Sequence, residues 1–106
     1  MIEPHLPNRN RIEKPLLRAL IEFGGSVDFS ADGKKLEIKL AQEFGLSDAV
    51  RDFASANYNS EGHRKWRNHI QFVRDQLVKK GELENYVRGK WTVTDAGYRR
   101  VGMLKP

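Results

Sequence analysis

The chain has 106 residues, of which 39% are apolar and none is cysteine. This length predicts one domain with a modest core, and the missing cysteines exclude disulfides and thiolate metal sites. No apolar run approaches the roughly 18 residues that span a membrane, and the formal charge of +5 favours a polyanionic partner, so we expect a soluble, cytoplasmic protein.

The N-terminal residues 1–10 contain two prolines and no periodic pattern, which predicts a flexible basic arm. A helix is expected to begin near Ile12 or Glu13, with Pro15 in its first turn, where the missing amide has no partner to lose. Gly24 and Gly25 would end this helix. Its buried face is predicted to consist of Leu16, Leu17, Leu20 and Ile21.

The segment 32–45 fits two periodicities. Leu36, Leu40, Ala41 and Phe44 have the spacing of a helix that ends at Gly45. Leu36, Ile38 and Leu40 also alternate as in a strand after an Asp-Gly turn. We favour the helix, with a short extended stretch before it at residues 27–29. Ser47 would then cap a short helix, followed by a polar loop at residues 55–62.

Residues 63–80 carry six Lys or Arg against one acid, whereas the rest of the chain has thirteen of each. The whole charge excess therefore lies in this segment. Its apolar residues follow helical spacing, which predicts one helix with an apolar face and a cationic back. The apolar face consists of Trp66, Ile70, Val73 and Leu77, and the residues most nearly opposite are Arg64, Asn68, Gln71 and Asp75. Arginine, asparagine and glutamine can pair with purine edges, so we interpret this segment as a DNA recognition helix.

Gly81 is expected to end the basic helix. The following sequence ENYVRGKWTV predicts two short strands around an Arg88-Gly89 turn, which would form a hairpin with a basic tip. Thr94 and Asp95 would start a final helical turn. Residues 102–106 are expected to be a tail or a linker, which leaves 11–101 as the domain.

This order of elements is that of a winged helix-turn-helix, an α+β, mainly α fold with a small β-hairpin wing. The sequence WRNHIQFVRDQLVKKGELENYVRGKWTVTDAG also resembles the closing half of the N-terminal domain of Mrr-type restriction endonucleases, and EKPLLRALIEFGG resembles its first helix. The resemblance implies a double-stranded DNA-binding module that selects targets, in some cases methylated, for a covalently linked nuclease domain. It places the recognition helix at residues 62–80 and the wing at residues 84–93.

The candidate DNA contacts fall into groups that differ in their expected partner. Side chains opposite the core would reach base edges, and cations on the flanks would contact phosphates. Basic residues in the wing and arm would add backbone or minor-groove contacts. The base-edge group is Arg64, Asn68 and Gln71; the phosphate group is Lys65, Arg67, Arg74 and Lys79; the wing group is Arg88 and Lys90; the arm group is Arg9 and Arg11.

Phe72 falls on the polar side of the basic helix, which is unexpected for a large apolar ring. It could pack under the 55–62 loop or the arm, or it could contact a modified base, a thymine methyl group or another protein surface. Trp66 and Trp91 are predicted to be packing residues. If Phe72 anchors an interface, a protein-interaction or dimerisation module is the alternative function, and a freestanding transcription regulator is another.

Catalysis and metal binding have little support in the sequence. Glu37-Ile38-Lys39, with Asp28 and Asp32 upstream, imitates the E-x-K element of many nucleases, but such a triplet is common by chance. The six-residue spacing of His63 and His69 does not place both on one helix face as metal ligands. We therefore expect no cofactor, no metal and no catalytic site in this chain.

Overall fold

A computed structural model describes residues 8–45, 61–85, 87 and 89–106, without the side chains of 61–65. The elements are α1 (Arg9–Glu22), β1 (Ser26–Asp28), α2 (Phe29–Glu43), α3 (Glu61–Lys79), β2 (Lys90–Thr92) and α4 (Asp95–Arg100). This composition confirms the predicted α+β, mainly α class with a small antiparallel sheet. The predicted short helix at Ser47 falls within residues 46–60, outside the described residues. No helix in the described part of the chain is long and apolar enough to cross a membrane.

The first helix begins earlier than the sequence indicated. α1 starts at Arg9, and the amide of Arg11 donates to the carbonyl of Asn8 at 2.9 Å. Pro15 therefore lies inside the helix, where it leaves one carbonyl of the preceding turn without its helical donor. Tertiary contacts outweigh this loss, because Ile12 and Glu13 on the first turns are both buried.

The ambiguous segment is helical, as we favoured, but α2 begins at Phe29. Asp28 is the N-cap, and its carboxylate accepts hydrogen bonds from the amide of Ser30 at 3.0 Å and the hydroxyl of Ser30 at 2.7 Å. Gly33 lies under the ring of Phe29, where a Cβ atom would come within 2.9 Å of the ring. The ring of Phe29 also stacks on the ring of Trp91, with ring centroids 4.2 Å apart.

The sheet joins segments that are distant in sequence. β1 and β2 are antiparallel, with Val27 opposite Trp91. On the other side of β2, Leu83 and Val93 form a single bridge, and the amide of Glu84 donates to the carbonyl of Thr92 at 2.9 Å. The predicted first strand of the hairpin is therefore reduced to this short pairing, while the second strand is present. Residues 86 and 88 lie outside the described part of the wing.

The core lies between α1, α2 and α3. Each residue of the predicted apolar face of α3 is fully buried, which confirms that prediction. Trp66 and Trp91 are packing residues, as expected, and the indole of Trp66 donates to the carbonyl of Glu37 at 2.9 Å. The other buried side chains of these helices include Ile12, Leu16, Leu17, Leu20, Leu36, Leu40 and Ala41.

The Thr-Asp-x-Gly sequence is a packing motif that fixes α4 against the end of α3. The hydroxyl of Thr94 accepts a hydrogen bond from the amide of Gly97 at 3.2 Å and donates to the carbonyl of Gly81 at 2.6 Å. A Cβ atom at Gly97 would overlap the carbonyl oxygen of Glu82 and the side chain of Val93. The motif therefore joins the chain after α3 to the chain after β2.

We expect Thr94→Val to lower the free energy of unfolding by about 1 kcal/mol, the usual cost of a lost N-cap. The substitution preserves the shape of the side chain and removes both hydrogen bonds. Urea denaturation measures the change. Thr94→Ser, which keeps the hydroxyl, should remain close to wild type, and equal losses in the two variants would show that the hydroxyl is not the cause.

Candidate nucleic-acid interface

The exposed face of α3 carries the polar side chains that the sequence placed opposite the core. Asn68, Gln71 and Asp75 are exposed, whereas the apolar face of the same helix is fully buried. Lys79 is exposed at the end of the helix. The side chains of Arg64 and Lys65 lie outside the described atoms. The structure therefore brings two of the three predicted base-edge residues onto one surface.

The wing lies beside this face and forms a groove with α3. The groove has a volume of about 490 Å³ and is lined by Phe29, Gln71, Arg74, Asp75, Asn85, Gly89 and Trp91. One guanidinium nitrogen of Arg74 donates to the side-chain oxygen of Asn85 at 3.1 Å, and another donates to Asp75 at 3.1 Å. Arg74, predicted from sequence to contact phosphate, is thus directed at the wing and largely buried. It connects α3 to the chain that leads into the wing.

We expect Arg74→Ala and Asn85→Ala to be non-additive, with a coupling free energy of about 1 kcal/mol, because each removes the same hydrogen bond. Urea denaturation of wild type, both single variants and the double variant measures this coupling. Arg74→Ala combined with Lys79→Ala is the control pair and should be additive. Additivity of Arg74 with Asn85 would show that the hydrogen bond does not hold the wing in solution.

The start of α1 contacts α3 at Phe72, which does not line the groove beside the wing. The guanidinium carbon of Arg9 lies 4.1 Å from the centroid of the Phe72 ring, and 51% of Phe72 is exposed. Arg9 and Arg11 belong to a helix and not to a loose arm, because α1 begins at Arg9. Their directions differ by about 200° around the helix axis. The structure therefore brings Arg9 to the exposed face of α3 and directs Arg11 elsewhere.

Two cations close to this face form internal ion pairs. The carboxylate of Glu13 on α1 lies 2.7 Å from the ammonium of Lys80 and 2.5 Å from the guanidinium of Arg100, which also pairs with Glu82. Burial alone would raise the pKa of Glu13, but hydrogen bonds from Lys80 and Arg100 outweigh it and leave the pKa below its ordinary value. Glu13 is therefore ionised at neutral pH, and it fixes α1, the end of α3 and α4 together.

Arg67 lies near a buried carboxyl group of α2. Glu37 is fully buried, and burial raises its pKa to about 7, an effect that the charge of Arg67 partly offsets. Arg67 itself is half-buried at the edge of α3. It therefore borders both the core and the polar surface, which the sequence pattern alone does not indicate.

The residues of the E-x-K triplet do not converge. Glu37 is buried, whereas Lys39 is at the surface and pairs with Glu22 at 2.7 Å. Asp28 caps α2. Among the side chains that the structure describes, those of residues 8–45, 66–85, 87 and 89–106, no group of three or more His, Asp or Glu is arranged to hold a metal ion. Glu37 and Lys39 thus have different surroundings, the core and the surface of α2 respectively.

The remaining predicted contacts are placed only in part. Lys90 is exposed at the first position of β2, opposite Asp28 on β1. Arg88 lies outside the described residues.

Sequence reasoning missed Asn85, because an asparagine in a polar loop gives no sign of a partner on α3. The contact of Phe72 with Arg9 agrees with one of the two packing sites expected for this ring, the N-terminal arm, although Arg9 belongs to α1.

One of three comparisons with known proteins gives a match, and it confirms the resemblance found in the sequence. No curated protein and no solved structure gives a significant match. A family model described as the Mrr N-terminal domain matches residues 10–101. This match includes every described helix and strand except the first residue of α1. The chain therefore belongs to the Mrr N-terminal domain family, a module associated with restriction endonucleases.

Proposed function

We propose that this domain binds double-stranded DNA and is the target-recognition module of a modification-dependent restriction endonuclease, linked in its parent protein to a separate nuclease domain. The observation that carries the proposal is the exposed face of α3. It presents Asn68, Gln71 and Lys79, belongs to the segment in which the chain's excess positive charge lies, and borders both the groove beside the wing and the contact between Arg9 and Phe72. Such a convex, cationic helix fits the major groove.

In this mechanism the contacts divide between specificity and affinity. Arg64, Asn68 and Gln71 would pair with base edges. Lys65, Arg67 and Lys79 would neutralise phosphates, and Arg88 and Lys90 would follow the backbone from the wing. Arg74 would hold the wing at the distance from α3 that its hydrogen bond with Asn85 sets. Cleavage would belong to the linked nuclease domain, as membership of the Mrr N-terminal domain family suggests.

The direct test is a titration of fluorescent duplexes at two salt concentrations. The duplexes carry unmodified bases, N6-methyladenine or 5-methylcytosine in an otherwise identical sequence. Salt-sensitive binding with a preference for one modified duplex would support a modification reader. Equal, salt-sensitive binding to all three would support DNA binding and contradict modification dependence. Absence of binding at low salt would contradict the proposal as a whole.

The salt dependence should report individual phosphate contacts. Each contact releases counterions, so raising salt from about 50 to about 200 mM should weaken binding by about 3.5-fold per contact. Lys79→Ala is expected to reduce the slope of log affinity against log salt by about 0.9. Lys35→Ala removes an exposed lysine of α2 and is the matched control. An unchanged slope in Lys79→Ala would exclude this residue as a phosphate contact.

A dimerisation module is the second candidate, because Phe72 is a large apolar side chain that is half exposed. In that case Phe72→Ala should shift the protein from dimer to monomer in sedimentation velocity. Binding to duplex DNA would then be weak and insensitive to substitutions on α3. A monomeric wild-type protein at high concentration would argue against this alternative.

A further inference from the structure

Phe72 and Arg9 form a small unit on the surface of the domain. Phe72 is 51% exposed on α3, next to Gln71 and on the side away from the buried face. Arg9 lies over its ring, with the guanidinium carbon 4.1 Å from the ring centroid. The half-exposed ring and the guanidinium beside it therefore offer a ligand an apolar contact next to a hydrogen-bond donor.

The chemistry of the pair matches two features of the major groove. An aromatic ring makes an apolar contact with the C5 methyl group of a pyrimidine, and arginine donates two hydrogen bonds to O6 and N7 of guanine. The contact with the ring also restricts the guanidinium of Arg9 before any ligand binds, which reduces the entropy lost on binding. Both groups lie at the edge of the face that carries Asn68 and Gln71.

We propose that Phe72 and Arg9 together read a base step in which a C5-methylated pyrimidine adjoins a guanine. The methyl group would contact the exposed part of the Phe72 ring, and Arg9 would pair with the neighbouring guanine. This inference rests on the proposed DNA binding and names the chemical feature that the α3 surface recognises. Thymine and 5-methylcytosine carry the same methyl group, and the experiment distinguishes them.

The expected preference for a methyl-bearing duplex follows from the apolar area of one methyl group. Its removal from water corresponds to about a four-fold preference in affinity. Loss of one bidentate arginine contact with guanine corresponds to about a tenfold or greater loss of discrimination. Both effects lie within the range of competition binding.

The experiment uses the full chain and random-sequence duplex pools that differ in one substituent. One pair of pools contains cytosine or 5-methylcytosine, a second contains thymine or deoxyuridine, and a third contains guanine or 7-deazaguanine, which lacks the N7 acceptor. Wild type should prefer the methyl-bearing member of at least one pyrimidine pair by about four-fold. It should also bind the 7-deazaguanine pool more weakly than the guanine pool.

The variants Phe72→Ala and Arg9→Ala should lose their binding preferences in different pairs of pools. Phe72→Ala should lose the methyl preference and keep its response to 7-deazaguanine, while Arg9→Ala should lose that response. Phe23→Ala and Arg18→Ala are matched controls, since both residues are exposed, and Arg18 points about 180° away from Arg9 around α1. Each control should bind all pools as wild type does.

Preference in the cytosine pair alone would assign the methyl contact to 5-methylcytosine, and preference in the thymine pair alone would assign it to thymine; either result supports the proposal. Binding of wild type without any methyl preference would overturn this inference and leave DNA binding intact. A methyl preference that survives in Phe72→Ala, or a change of oligomeric state in that variant with unaltered preference, would also overturn it. No binding of wild type to any pool would overturn the proposed function itself.

Discussion

Replacing both Asn68 and Gln71 with alanine should lower affinity for the preferred duplex by about 100-fold, since each bidentate contact with a base edge contributes roughly 1–3 kcal/mol of discrimination. Both side chains are exposed on the face of α3 that lies opposite its buried residues. Neither carries a charge, so binding to random-sequence DNA should change little. The preferred duplex is first selected from a random pool with wild-type protein, and both DNAs are then titrated.

The control for this variant is Gln42→Ala, which removes an exposed amide from α2. It should leave both affinities unchanged. Equal loss of affinity for preferred and random duplexes in the double variant would place these amides on the phosphate backbone. No loss for either duplex would mean that a different surface of the domain reads the sequence.

The apolar periodicity of α3 was sufficient to predict its buried face. Trp66, Ile70, Val73 and Leu77 recur at helical spacing, and a helix with a single apolar face has one way to bury it. Gly81 was expected to end this helix, and its φ of 76° is the left-handed conformation that is typical of a glycine at a helix C-terminus. Predictions of this kind succeed because they depend on local geometry alone.

The pairing of the sheet could not be predicted in the same way. The sequence predicted a local hairpin, but the regular partner of β2 is β1, which lies on the far side of α2 and α3 in the chain. A strand of three residues contains too little pattern to identify a distant partner. The start of α1 was misplaced for a related reason, because Glu13 is held by Lys80 and Arg100 from other elements.

The charge count of residues 63–80 also could not show which cations form contacts within the domain and which remain available to a ligand. Lys80 contributes to the basic segment, yet it pairs with a buried carboxylate. Arg74 was predicted to contact phosphate, yet its guanidinium is hydrogen-bonded to Asn85 and Asp75. The neighbouring Lys79 is exposed. Which lysine or arginine is engaged depends on tertiary contacts that the composition of one segment does not contain.

Glu37→Gln is expected to stabilise the domain at about pH 8 by about 3 kcal/mol relative to wild type, and to have little effect at about pH 4, below the pKa of the unfolded chain. Burial raises the pKa of Glu37 to about 7, whereas the unfolded chain has the ordinary value of 4.5. Between these values the folded state binds a proton that the unfolded state does not, so wild-type stability falls as pH rises. Above the folded pKa the loss is complete.

Urea denaturation of wild type and Glu37→Gln across this pH range gives the difference, which removes contributions from all other groups. The control is Glu22→Gln, a change at an exposed carboxylate that pairs with Lys39; its effect should be small at every pH. Because the charge of Arg67 lowers the pKa of Glu37, Arg67→Gln should move the loss of stability to higher pH. A difference between wild type and Glu37→Gln that does not change with pH would show that Glu37 has an ordinary pKa in the folded protein.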